Sequence, residues 1–198
     1  MNQTDIEDKL NKFISTIHIS DELAGLFMEM GEIVILKRKE YFVRQGEICR
    51  YLGAVLDGNL RFSYCDTDGQ EHTIGFNTNG FATEYHALLN QLPAKYSIQA
   101  ISKTVIFRLT HKQVIGLYES SMEGQRFGRH IAEQLFFRRD ELLFSFRCDT
   151  PEDRYKKLQE VADKSLNKLT LKDIASLIGV TPETVSRIRK KLQEKGES

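Results

Sequence analysis

Glu183, Ser186 and Arg187 stand three and four residues apart, so a helix would carry a carboxylate, a hydroxyl and a guanidinium on one face. A guanidinium fork matches O6 and N7 of guanine, and a carboxylate can accept from N4 of cytosine. Thr181, Thr184, Arg189, Lys190 and Lys191 surround them. Hydroxyls and cations suit phosphate oxygens, contacts that position a helix without choosing sequence. Across the basic run Arg187, Arg189, Lys190, Lys191 and Lys195 the only opposing charge is Glu194. The plainer reading of such a run is a solvated helix end whose cations complement the helix dipole.

The surrounding pattern supplies the frame those groups need. Thr170 and Asp173 form a capping box, and Ile174, Leu177 and Ile178 give the helix behind it one apolar stripe. Gly179 is the expected turn residue, since positive φ there would strain a side chain. Thr181 then caps a second helix with Pro182 at its first position. Val185, Ile188 and Leu192 fall on its inner side, leaving the polar, basic face outward. The bland alternative is an αα-hairpin that only packs.

Lys and Arg total 28, as do Asp and Glu, so net charge is zero and only clustering can indicate an anionic partner. Cys49, Cys65 and Cys148 are far apart and form no C-x-x-C. An odd count without a disulfide framework suits a reducing compartment. The start, MNQTDIEDKL, is polar and no apolar run approaches bilayer length, so a soluble, cytoplasmic protein is expected.

Along the chain, residues 4 to 30 read as one or two short helices, with a start at Ile19–Glu22. From Gly31 the period becomes that of strands: 32–36, 41–43, 51–56, 60–64 and 71–76, broken by Asp- and Gly-rich turns. A short helix is expected over 82–90 and two more strands over 96–101 and 105–109. Short strands at near-regular spacing imply an antiparallel roll or sandwich. Thr110 and Gln113 open a helical stretch running to about Phe146, with a break near Ser120–Ser121.

Within that stretch Gly124, Gly128, Ile131, Leu135 and Leu142 fit one stripe, while Phe127, Phe136, Phe137, Leu143 and Phe144 lie on other faces. A helix apolar on more than one face must bury more than one. The expected arrangement puts one face on the sheets and the stripe at Gly124, Gly128, Ile131, Leu135 and Leu142 on a second copy; a core helix in a monomer is the alternative. Thr150, Pro151 and Asp153 start a further helix carrying Arg154, Tyr155, Leu158 and Val161.

A β-roll, a long helix and a C-terminal helix-turn-helix, in that order, resemble the CRP/FNR family of bacterial transcription regulators over nearly the whole chain. The resemblance rests on Phe42–Glu47, on Leu56–Arg61 and on the run Pro182-Glu183-Thr184-Val185-Ser186-Arg187. That last run looks like the FNR branch. The resemblance implies an α+β chain: a jelly-roll-like sensor domain over 1–110, a dimerisation helix over 111–148 and a winged-helix-type DNA-binding domain over 149–198. It implies a homodimer on an inverted repeat with TTGA-like half-sites, base reading by Glu183, Ser186 and Arg187, and contact with RNA polymerase. A small-molecule effector is expected among Phe81, Glu84, Tyr85, Lys95, Tyr96 and Arg138.

Three departures qualify the expectation. Cyclic-nucleotide binders of the family carry Gly-Glu near the short helix and Arg-Ser/Thr-Ala before the next strand. Here those stretches are Asn79–Glu84 and Pro93–Ser97, and Lys95 is a point charge, not a bidentate fork. Cyclic AMP is therefore not the expected ligand. The N-terminus lacks the cysteine set of the iron–sulfur members. The sequence ends at Ser198, leaving a truncated wing.

Two rival readings remain at this stage. A cupin-like enzyme would need clustered His and Glu ligands, yet His18, His72, His86, His111 and His130 are scattered, with no nucleophile elbow or P-loop. A haem- or metal-binding sensor could draw an axial nitrogen from His72 or His86. No catalytic residue and no metal-ligand set is expected.

Overall fold

The protein was analysed as a computed structural model that describes residues 3–194, apart from the side chains of residues 163 and 164. Lys195 and the expected truncated wing lie outside the described residues. Two helices lead, α1 (Gln3–Thr16) and α2 (Asp21–Met30), the second capped by the Ser20 hydroxyl. Eight strands follow: β1 (Glu32–Leu36), β2 (Tyr41–Val43), β3 (Tyr51–Asp57), β4 (Leu60–Cys65), β5 (Glu71–Asn77), β6 (Gly80–Ala82), β7 (Ser97–Ala100) and β8 (Thr104–Thr110). The helix α3 (Tyr85–Asn90) interrupts them between β6 and β7. The remaining elements are α4 (His111–Ser120), α5 (Met122–Cys148), α6 (Pro151–Ala162), a 3-10 turn (Asp163–Lys168), α7 (Leu171–Ile178) and α8 (Pro182–Glu194).

The strands make two antiparallel four-stranded sheets, ordered β1-β8-β3-β6 and β2-β7-β4-β5. Alternation along the strands sends Ile98 and Ile106 into the space between the sheets, while Phe107, Leu109 and its pair partner Leu52 point to the other face, where Phe107 meets Phe27 of α2; all are buried. The strand β6 replaces the start of the helix expected at Ala82. Gly80 turns at φ +80°, which lays Phe81 and Ala82 beside β3, and the helix begins only at Tyr85. Two further differences are the 3-10 turn after α6 and the exposure of Val161.

The break expected near Ser121 is present, and Ser121 caps α5 through the Gly124 amide. The stripe assigned to a second copy is another matter. Gly124, Gly128 and Ile131 are buried within the protomer, Ile131 completely. A Cβ on Gly124 would stand 1.9 Å from the Leu117 carbonyl oxygen, and one on Gly128 3.0 Å from the Tyr118 ring. These glycines let α5 cross α4 of the same chain, and Ile131 is buried in the core beside them. Leu135 is half-buried against that core, and only Leu142 of the stripe is exposed. The uncovered apolar surface is instead Phe136, Phe137, Leu142, Leu143 and Phe144, with Phe136 and Phe144 each 64% exposed.

A second apolar cluster gathers Tyr155, Ile174, Ile178, Val185, Ile188 and Leu192 from α6, α7 and α8, with Leu169 from the link before α7. Phe76 and Ile101 of the sheet region pack against it. One carboxylate fastens the join. Asp173 Oδ2 accepts from the Thr170 amide (3.0 Å) and hydroxyl (2.6 Å), completing the capping box. Its Oδ1 accepts from Arg61 Nη1 (2.9 Å) and from the Thr73 hydroxyl (2.6 Å) on β4 and β5. Ser176 adds a bond from its hydroxyl to the Thr73 carbonyl (2.7 Å).

Burial alone would raise the Asp173 pKa, but the hydrogen bonds from Thr170, Thr73 and Arg61 outweigh it and hold the carboxyl below its usual range. A depressed native pKa contributes stability that is fully present above the unfolded value of about 3.9 and is lost as pH falls through the native value. The protection factors of α7 amides, taken against intrinsic exchange at each pH, are therefore expected to fall below about pH 4. Asp173→Asn should show lower protection factors at neutral pH and little further change in them on acidification.

Candidate nucleic-acid interface and effector pocket

Gly179 ends α7 at φ +70° and ψ 43°, its amide bonding back to Ala175 and Ser176, and this left-handed cap turns the chain into α8. The Thr181 hydroxyl accepts from the Thr184 amide at 3.4 Å and lies 3.3 Å from the Thr184 hydroxyl. Val185, Ile188 and Leu192 are buried, which pins the rotation of α8 about its axis. Glu183, Ser186, Arg187 and Lys190 are consequently exposed together. Arg187 Nη2 donates to the Thr184 hydroxyl (2.9 Å), and the Ser186 hydroxyl donates to the Pro182 carbonyl (3.2 Å). Hydrogen bonds from its own amide and from Thr181, with Arg187 nearby, hold the Glu183 carboxyl below its usual range. The face therefore presents a charged acceptor beside a guanidinium fork.

Two of the five residues expected at phosphates are turned elsewhere. Arg189 Nε donates to the Tyr155 hydroxyl (3.0 Å), and Lys191 Nζ pairs with Glu152 (2.5 Å). Successive helical positions rotate by about 100°, so a run of adjacent cations cannot all share the face of Glu183 and Arg187. Arg189 and Lys191 instead brace α8 on α6. Lys190 lies 4.0 Å from Glu194, and among the described residues it forms no other ion pair.

The six residues expected around an effector do not enclose one space. Glu84 is buried and caps α3 through the Ala87 amide (3.1 Å). Tyr96 donates to the Thr83 carbonyl (3.2 Å) with its ring 5.9 Å from that of Phe62. Burial pushes the Tyr96 hydroxyl up to about 12, with the positive charge of Arg139 acting in the opposite direction. Arg139, one residue and a 100° turn beyond the expected Arg138, is thus the cation that faces Tyr96. Tyr85 places its hydroxyl 3.3 Å from that of Tyr118, and Lys95 is exposed. Phe81 and Arg138 line a different cleft, shared with α1. The sequence held no signal for α1 as a wall, because helix position and not spacing brings it there.

Of the two histidines considered as axial ligands, His72 has Nε2 2.7 Å from Asp66 and stacks on Tyr64 at 5.0 Å. Among the described residues no group of three or more His, Cys, Asp or Glu stands close enough to hold a metal ion, so the cupin-like reading has no ligand set there. No helix among the described residues is long and apolar enough to cross a membrane.

Comparison with known proteins agrees with this geometry. A cyclic nucleotide-binding domain model matches residues 33–121, and a Crp-like helix-turn-helix domain model matches residues 152–196, together more than half of the chain. No curated relative matches. Among solved structures, a regulator from Eubacterium rectale assigned to the crp/fnr family is similar at a TM-score of 0.71 and 17% identity, covering 94% of this chain and 89% of that one. FixK2 from Bradyrhizobium japonicum is similar at 0.70 and 19% identity, covering 84% and 86%. The c-di-GMP responsive global regulator CLP of Xanthomonas campestris follows at 0.68 and 16%, covering 89% and 93%.

Proposed function

This chain belongs to the CRP/FNR family of DNA-binding transcription regulators, and from that premise we propose that it binds an inverted-repeat site as a homodimer under the control of an effector other than cyclic AMP. The observation that carries the DNA reading is the outward face of α8, where Glu183, Ser186, Arg187 and Lys190 are exposed over a buried Val185, Ile188 and Leu192. Arg187 takes guanine O6 and N7, Glu183 takes cytosine N4, and Ser186 makes a shorter local contact. Thr181, Thr184 and Lys190 take phosphates. The likeness of Pro182–Arg187 to the FNR branch supports TTGA-like half-sites about one helical turn apart.

Arg187→Ala is expected to cost about 1–3 kcal/mol per half-site and to relax preference at one base pair. Lys190→Ala should weaken matched and mismatched duplexes alike and flatten the salt dependence by about one unit of slope. Binding isotherms on both duplex classes at several salt concentrations separate the two roles; equal weakening of all duplexes by Arg187→Ala would remove its base-reading role.

Dimerisation is assigned to the exposed face of α5. Phe136 and Leu143 are seven residues apart, two turns along one side of the helix, and a monomer would leave both in water. The double substitution Phe136→Glu and Leu143→Glu is expected to yield folded monomers by sedimentation. A dimer that survives it would place the interface elsewhere. The chain divides as a sensor over 1–110, a connecting helix over 111–148 and a DNA-binding unit over 149–198; the two separate apolar clusters support that division, with α4 and the first half of α5 sharing the sensor core.

The same fold serves a c-di-GMP responsive regulator in Xanthomonas campestris, so cyclic AMP is not its only ligand chemistry. Lys95, in the sequence place where the resemblance expects the phosphate-clamping Arg, is exposed and offers a point charge in place of a guanidinium fork. Calorimetry is expected to detect no cyclic AMP binding at micromolar concentrations; a micromolar dissociation constant would overturn this.

A further inference from the structure

A cleft of about 800 Å³ opens between α1, the ends of β3 and β6, and the middle of α5. Neither Glu84 nor Tyr96 lines it. Its volume lies in the upper part of the range for small-molecule sites, about 300–1,000 Å³. The walls are apolar: Phe13, Ile17, Val55, Phe81 and Leu135. Phe13 and Phe81 meet edge to face, with ring centroids 5.2 Å apart, which fixes α1 against β6.

The charged side chains at the cleft are of one sign, beside the neutral Thr16, Asn79 and Gln134. Lys12 and His18 come from the α1 side, and His130 and Arg138 from α5. Lys9 also lines it but is neutralised by Asp57 at 2.5 Å. No carboxylate is among the lining residues, and neither Lys12 nor Arg138 has an ion-pair partner among the described residues. Arg138 lies along the rim over Gly80, where a Cβ would stand 3.7 Å from Nη2. Two permanent cations and two imidazoles thus converge over low-dielectric walls, an arrangement that concentrates positive potential. A bare inorganic anion would leave the apolar walls unused, and a neutral apolar molecule would leave the cations without counter-charge.

We infer that this cleft binds an amphipathic organic anion: an apolar chain or ring seated on Phe13, Ile17, Phe81 and Leu135, with a carboxylate or phosphate head between Lys12 and Arg138. Such a ligand bridges α1 and α5, the helix that continues toward α6, and so ties its occupancy to the route by which the C-terminal helices are positioned. The binding step itself does not depend on the DNA-binding reading and is tested without DNA.

The experiment is calorimetry on the full chain with decanoate and decyl phosphate as charged probes, decan-1-ol as the apolar body alone and inorganic phosphate as the charge alone, all below their aggregation limits. At least one charged probe is expected to bind one per chain, and decan-1-ol and inorganic phosphate about tenfold or more weaker. The pair Lys12→Glu and Arg138→Glu should weaken the charged probe about tenfold, whereas the charge-matched pair Lys37→Glu and Lys103→Glu should not. If the first pair fails to fold by circular dichroism, Lys12→Gln with Arg138→Gln replaces it, with a loss of about threefold or more expected. Binding of neither charged probe, equal binding of decan-1-ol, or binding indifferent to Lys12 and Arg138 would overturn the inference.

Discussion

The Asp173 carboxylate holds together two things that could otherwise move apart. One oxygen completes the start of α7, and the other receives Arg61 and Thr73 from the sheets. A capping residue on an isolated helix would be solvated and interchangeable with several others. Here it is buried, and its partner Arg61 also reaches Glu71 and Gln99, so the charge is shared across β4, β5 and β7. Removing either partner strands the other in a site of low polarity, a larger penalty than the pair's own net contribution. The orientation of α7, and with it the turn at Gly179 and the direction of α8, thus follows from a contact made about a hundred residues away in sequence.

The long helix α5 solves a different problem. Its first half is core: Phe127, Gly128 and Ile131 close the sheet cluster, with Phe27 and Phe81 against Phe127 at ring separations of 5.8 and 6.1 Å. Its second half runs past the sheets with Phe136, Leu143 and Phe144 uncovered. So much contiguous apolar surface on one helix is far from what a monomer's exterior needs. The same helix turns His130 and Arg138 toward α1 and Arg139 toward Tyr96. Adjacent residues on one helix therefore serve three neighbourhoods, and any ligand or partner that shifts α5 is felt in all of them.

On α8 the division of labour among cations is equally geometric. Arg187 and Lys190 stay outward, while Arg189 and Lys191 are held by Tyr155 and Glu152. Arg189 also lies 5.9 Å from the Tyr155 ring, and Arg154 anchors α6 to the Ile178 carbonyl at 2.8 Å. The three C-terminal helices form a braced unit in which the outward face is kept by packing on the opposite side.

Much of this was legible in residue order alone. Capping boxes at Thr110, Thr150 and Thr170, the left-handed Gly179 and the three inward residues of α8 are local features, set by interactions within a few residues, and spacing reveals them. The alternation of the strands and the turns between them are local in the same sense. Which face of α5 is core was not legible, because Ile131 and Phe136 are equally apolar and only the position of α4 and the sheets distinguishes them. Nor could spacing tell that the charge of Arg139 and not of Arg138 acts on Tyr96, that α1 walls a cleft, or that Asp173 has a second partner in Arg61. Those are contacts between segments distant in sequence, and the amino-acid order constrains them only through the whole fold that brings the segments together.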